Sequence, residues 1–114
     1  MPDFAKTYGT LVIQPIDLIN AFKVDFCLAS VIKWLTKWHM NNKVEYLPKA
    51  DYYIPLCDKS VVSDELFFAL RMFCIANGFM KDNSSSCLLV DIAWDIKHKN
   101  FDDAKFKLVQ VTYK

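Results

Sequence analysis

Between Phe26 and Met40 the apolar residues Leu28, Val31, Ile32, Leu35 and Trp38 recur three and four positions apart. That spacing puts them on one stripe of an α-helix and commits the stripe to a core. Asp25 stands where an N-cap belongs, and Asn41-Asn42 is a natural stop. A second helix is punctuated even more clearly. Ser63 caps the run Asp64 to Ala76, acidic residues fill its first turn, and Asn77-Gly78 ends it with Phe79 placed for a Schellman contact. Two shorter helices are expected around these: one opened by Pro15 and running through Phe22, and one from about Leu47 to Ile54, ahead of Pro55.

Beyond the polar loop Lys81–Ser86 the period changes. Leu88, Val90, Ile92, Trp94 and Ile96 alternate with Leu89, Asp91, Ala93, Asp95 and Lys97, which predicts a half-buried strand. Lys99 to Asp103 reads as a turn. Lys105 to Tyr113 reads as a second strand whose apolar parity slips near Val109, as at a bulge. Thr10 to Gln14 is β-branched and short, an edge strand or an extended lead-in. The expected fold is therefore α+β: a helical N-terminal two-thirds of about four helices, packed with a C-terminal antiparallel β-hairpin and a possible third, N-terminal strand. A lone hairpin is marginal, so the helices must cover it. At 114 residues the chain, 1–114, is expected to form a single domain.

Composition narrows the function classes. The apolar fraction is 54 %, with nine Phe, five Tyr and three Trp, so either the core is rich in rings or some rings face a partner. Self-association is compatible with that fraction. Net charge is +1, from 14 basic and 13 acidic residues of mixed order, which gives no bulk field for nucleic acid or an anionic membrane. The start of the chain lacks the basic and apolar regions of a signal peptide, and no apolar run reaches the ~20 residues of a membrane span. Cys27, Cys57, Cys74 and Cys87 lie in apolar runs with no C-x-x-C pair. Free buried thiols in a reducing compartment are expected rather than disulfides, and with them a cytoplasmic location.

Glycine occurs only at Gly9 and Gly78, so Walker and Rossmann phosphate loops are absent. His39 and His98 have no second His or Cys at ligand spacing, and no metal site is expected. Asp91, Asp95, Asp102 and Asp103 would gather at one end of the hairpin as a solvated polar face, or hold Mg²⁺ through oxygen ligands. No Cys–His nucleophile is readable from spacing. The notable polar feature is the helix face of Ser30, Lys33 and Lys37, three donors with Trp34 and Trp38 beside them. It suits gripping a phosphate and stacking a base, or it is an ordinary solvated face with snorkelling lysines. Lys23, Lys43 and Lys49 would extend it.

The runs Gln14-Pro15-Ile16-Asp17-Leu18-Ile19, Asp25-Phe26-Cys27-Leu28-Ala29-Ser30-Val31-Ile32-Lys33-Trp34 and Leu47-Pro48-Lys49-Ala50-Asp51-Tyr52-Tyr53 resemble the SaV-like proteins of tailed bacteriophages. The same small domain forms the C-terminal part of a P-loop-less phage nucleotide kinase. The resemblance covers about residues 8–56. The segment 57–114, read as a helix plus the hairpin, lies outside it. Lys33, Lys49, Ala50 and Tyr53 match the family pattern directly. Ala29-Ser30 stands for its Gly-Asn, Trp34 for its Tyr, Lys37 for its Arg, Thr7-Tyr8 for its His-Tyr, and Trp38 to Asn42 for its basic loop. Arg to Lys loses a bidentate fork, and Asn to Ser shortens a polar reach. The resemblance implies a small phage accessory protein acting by binding. Its partner would be a host protein, met through Trp34, Trp38, Tyr52 and Tyr53 during host takeover or defence evasion. The alternative is a nucleotide-binding protein or deoxynucleoside monophosphate kinase using Ser30, Lys33, Lys37 and Lys49, with Mg²⁺ entering only with the nucleotide and no other cofactor.

Overall fold

Six α-helices and one 3₁₀ turn follow one another in the computed structural model, which describes residues 11–112. They are α1 (Pro15–Phe22), α2 (Phe26–Asn41), α3 (Tyr46–Tyr53), the 3₁₀ turn Pro55–Lys59, α4 (Asp64–Ala76), α5 (Leu88–Lys97) and α6 (Phe101–Thr112).

The first four helices form for the local reasons visible in the sequence. Pro15 opens α1 at a position where its missing N–H costs nothing. The Asp25 carboxylate accepts the amides of Cys27 and Leu28 at 3.1 and 3.2 Å, capping α2. The same oxygen accepts the Ser60 hydroxyl at 2.9 Å, which ties the start of α2 to the end of the 3₁₀ turn. Pro48 falls in the first turn of α3, where a helix tolerates it. Ser63 Oγ accepts the Leu66 amide at 3.0 Å at the head of α4. The far end of α4 is a full Schellman motif. Phe79 N–H donates to Cys74 O and Gly78 N–H to Ile75 O, with Gly78 at φ 79°, where a side chain would be strained.

The C-terminal third overturns the expected α+β class. Among the described residues there is no strand: Leu88–Lys97 and Phe101–Thr112 are helices. In α5 the buried apolar set is Leu89, Val90, Ile92, Ala93 and Ile96, a helical stripe, while Trp94 of the expected strand face is exposed. Leu89 and Ala93, which the two-residue alternation assigned to the polar face, are core residues. In α6 the inward positions are Phe101, Ala104, Leu108 and Val111, and the supposed bulge at Val109 is a helical residue facing out. Three residues join α5 to α6. His98 is the C-cap, Lys99 takes a left-handed φ of 61°, and Asn100 N–H returns to Asp95 O at 2.7 Å. This is a Schellman stop built on lysine rather than glycine, as at Lys23 after α1. Lys99 Nζ donates to Ser60 O at 2.6 Å, so the strained residue also satisfies the end of the 3₁₀ turn.

The expected N-terminal strand is not formed either. Thr10 lies outside the described residues, and 11–14 is irregular. Its ladder groups are satisfied by one side chain instead. Asn77 Oδ1 accepts the amides of Val12 and Ile13, and its Nδ2 donates to Ile13 O.

A continuous core runs from Leu18 to Leu108, with α2 deepest: Leu28, Val31, Ile32 and Leu35 are fully buried. Thr36, also buried, satisfies its hydroxyl on Ile32 O at 2.7 Å. One buried carboxylate, Asp95, is matched by Lys107 of α6 at 2.5 Å. No described helix is long and apolar enough to cross a membrane.

Candidate functional site

Lys33 and Lys37 lie one turn apart on α2, with Trp34 between them in sequence. The packing of α3 on α2 brings in Lys49. Their ammonium groups sit 4.6, 4.7 and 4.5 Å from the centroid of the Trp34 ring. Each is in cation–π range of the indole. No two of the three can therefore lie further apart than about twice that distance. Two unit charges so placed repel by at least about 0.4 kcal/mol in bulk water, and about four times that near a protein surface. Burial holds the Lys37 ammonium below the ordinary lysine range, and the charges of Lys33 and Lys49 push it the same way. Among the described residues neither Lys33 nor Lys49 is in an ion pair; those formed join Lys97 to Asp64, Lys105 to Asp51 and Lys107 to Asp95.

The indole at the centre is itself fixed. Trp34 packs partly against the core, and Tyr46 stacks on it at 6.0 Å and 27°. Beside it runs a shallow groove of about 390 Å³ bounded by Trp34, Pro48, Lys49, Tyr52 and Tyr53. Tyr52 is 66 % exposed and stands edge-on to Tyr53 at 5.0 Å. Tyr53 in turn meets Phe26 edge-on at 5.8 Å. The result is a ring of positive charge with a flat aromatic floor and an aromatic margin, a surface that can neutralise an anion and offer a face for stacking.

The residues singled out from sequence divide between places. Lys33, Lys37, Lys49, Trp34, Tyr52 and Tyr53 come together. Ser30 does not join the lysines: it is 5 % exposed and lines an apolar groove of about 310 Å³ with Pro15, Ile16, Ile19 and Phe26, at whose edge Lys33 stands. Trp38 belongs to a different cleft, of about 980 Å³, where it meets the His39 ring edge-on at 5.0 Å. The four aspartates do not gather as expected at a hairpin end. Asp95 is buried against Lys107, Asp91 is bonded to the Ser86 hydroxyl, and Asp102 and Asp103 are exposed in the first turn of α6. No group of three or more potential metal-ligating side chains forms among the described residues. All four cysteines are free thiols, two buried (Cys57, Cys74) and two half-buried (Cys27, Cys87).

Sequence reasoning passed over Tyr46, whose stacking partner is twelve positions away on another helix. It also passed over the structural place of His39, whose Nε2 accepts the Leu89 amide at the head of α5. Neither has a spacing signal. Comparison with known proteins adds no relative: no family model, no curated protein and no solved structure matches the chain, so the resemblance over residues 8–56 rests on its motif residues alone.

Proposed function

We propose that the protein is a cytoplasmic binding module for a phosphate-bearing ligand, a nucleotide in the first instance, held by Lys33, Lys37 and Lys49 around Trp34. One observation carries this reading: three ammonium groups surround a single indole within 4.7 Å of its centroid. Such crowding raises the energy of the empty site, and an anion that enters it turns mutual repulsion into shared attraction. A polyphosphate meets three cations at once, while a nucleobase has the Trp34 and Tyr52 rings to stack on. The motif resemblance to the domain of a phage nucleotide kinase supports the same ligand class and a phage accessory role. The grouped residues are cations and rings. They bind and orient, with no carboxylate or imidazole among them to take a proton, so the proposed role is binding. Mg²⁺ would arrive on the nucleotide.

A second reading is engagement of a host protein through the aromatic margin. It is favoured by the exposure of Phe26 and Tyr52 next to the charged ring.

Thermal-shift titration separates the two. Deoxynucleoside mono- and triphosphates and inorganic tripolyphosphate are added to wild type, Lys33→Ala and Trp34→Leu. A ligand at ~100 times its Kd stabilises by about 2.7 kcal/mol, roughly 10 °C for a domain of this size. The expected result is a triphosphate-induced shift that Lys33→Ala removes. Loss of the base preference in Trp34→Leu, with tripolyphosphate binding kept, would assign stacking to the indole. No shift with any of these anions would overturn the nucleotide reading and leave the protein-partner one.

A further inference from the structure

Among the described residues four polar side chains are buried, and three of them are satisfied. The Thr36 hydroxyl donates to Ile32 O at 2.7 Å, the Ser60 hydroxyl donates to the Asp25 carboxylate at 2.9 Å, and Asp95 meets Lys107. Ser30 is the exception. At 5 % exposure its hydroxyl has no hydrogen-bond partner among the described residues. A buried hydroxyl left unbonded is costly and rare in a folded protein. This one is not sealed in the core, and the opening beside it is the groove of about 310 Å³ between α1 and α2.

The groove has a polar end and an apolar end. On α2 its lining residues Phe26, Ala29, Ser30 and Lys33 are three and four positions apart, one stripe about 10 Å long by helical rise. Pro15, Ile16 and Ile19 of α1 form the opposite wall. The stripe begins at the 72 % exposed Phe26 ring and finishes at Ser30 and, one turn on, the Lys33 side chain. Among the described residues no acidic side chain lines the groove, and Lys33 is in no ion pair. A hydroxyl donor and a cation at one end of an otherwise apolar slot are complementary to a carboxylate that carries a hydrocarbon chain.

We propose that this groove binds an unbranched aliphatic carboxylic acid of medium chain length. The carboxylate takes the Ser30 hydroxyl as donor and Lys33 as counter-ion, and the chain lies between α1 and α2 toward Phe26. The site is separate from the nucleotide seat in everything but Lys33, whose ammonium also stands 4.6 Å from the Trp34 centroid. A volume of 310 Å³ is at the lower end of the roughly 300–1,000 Å³ of small-molecule pockets, which suits a single short chain. An open groove covers about half of each methylene, so two further methylenes tighten binding about fourfold until the chain passes Phe26.

The test titrates butanoate, hexanoate and octanoate into the isotope-labelled full chain and follows backbone amide shifts, with octanol and tripolyphosphate as comparison ligands. The expected result is saturable octanoate binding that moves the amides of Ile16, Ile19 and Ser30, with affinity rising about fourfold at each step of the series. Ser30→Ala should weaken octanoate about tenfold, the worth of a hydrogen bond to a charged group, and leave tripolyphosphate binding as in wild type. It should also melt no lower than wild type, since the hydroxyl it removes bonds to nothing. Ala29→Leu, at a half-buried position in the groove, should block octanoate alone. No saturable octanoate binding, octanol bound as tightly as octanoate, or Ser30→Ala binding octanoate unchanged would each overturn the proposal. Groove amides that shift with protein concentration alone would put a second copy of the chain there instead. None of these results touches the nucleotide reading, which stands or falls with tripolyphosphate.

Discussion

The Asp95–Lys107 pair offers the sharpest test of how the C-terminal helices hold together. Asp95 is 3 % exposed on α5, and Lys107 of α6 meets it at 2.5 Å with about a third of its own side chain in solvent. Lys107→Met keeps the apolar stem and removes the charge. It leaves a carboxylate facing a core that cannot solvate it. Breaking a fully buried pair costs about 3–5 kcal/mol. Because Lys107 is partly exposed, water can reach the vacated position, and the expected loss is about 2–3 kcal/mol. For a chain of 114 residues that is a fall in Tm of roughly 8–12 °C. Urea denaturation at neutral pH, with slopes compared to confirm that only the midpoint moves, measures it directly. The double variant Asp95→Leu with Lys107→Met should recover most of the loss, since an apolar pair of similar volume asks for no solvation. If Lys107→Met lies within about 0.5 kcal/mol of wild type, or if the double variant is as unstable as the single one, Asp95 is not a buried charge relieved by Lys107. The ion pair would then not be what joins α5 to α6.

Two further outcomes follow from other parts of the chain. Asp25→Ala removes the cap of α2 together with the acceptor of the Ser60 hydroxyl, and is expected to cost about 2 kcal/mol by chemical denaturation. Asp25→Asn, which keeps an acceptor oxygen, should lose less than half of that. The lysine ring also makes stability depend on pH. Lys37 binds its proton less tightly folded than unfolded, so above its lowered pKa and up to about 10.5 the unfolded chain holds more protons and stability rises with pH. Wild type measured against Lys37→Met cancels the other alkaline titrations, the raised Cys57 thiol among them. The difference should show this rise, and a flat difference would contradict the crowding of charge around Trp34.

How far the molecule was legible varies from element to element. The starts of α1, α2 and α4 and the stop of α4 were open to reading because each is set within a few residues: Pro15 at a first turn, Asp25 and Ser63 as caps, Gly78 in the left-handed position. The α5 segment was not. Leu88-Leu89-Val90 and Ile92-Ala93-Trp94 place apolar residues on both sides of a strand and around most of a helix, so a period of two and a period of 3.6 fit the same letters. Its termination by a left-handed Lys99 carries no glycine signal. The lysine site was half-legible. Lys33 and Lys37 share a face by helical spacing alone, but Lys49 and Tyr46 reach Trp34 only because α3 folds back on α2.

The sequence by itself determined where helices begin and end when a cap, a proline or a glycine acts on its own neighbours, because those energies are local and need no partner. It also determined which stripe of α2 must be buried. Tertiary structure alone decided the rest. Residues 88–97 and 101–112 are helical because their stripes find a core to cover, and Val12 and Ile13 stay out of a sheet because Asn77 satisfies their backbone. Three lysines from two helices surround one indole only once the helices have packed. Contacts between distant segments are stabilised by shared burial, and no local pattern of letters encodes which segments will share it.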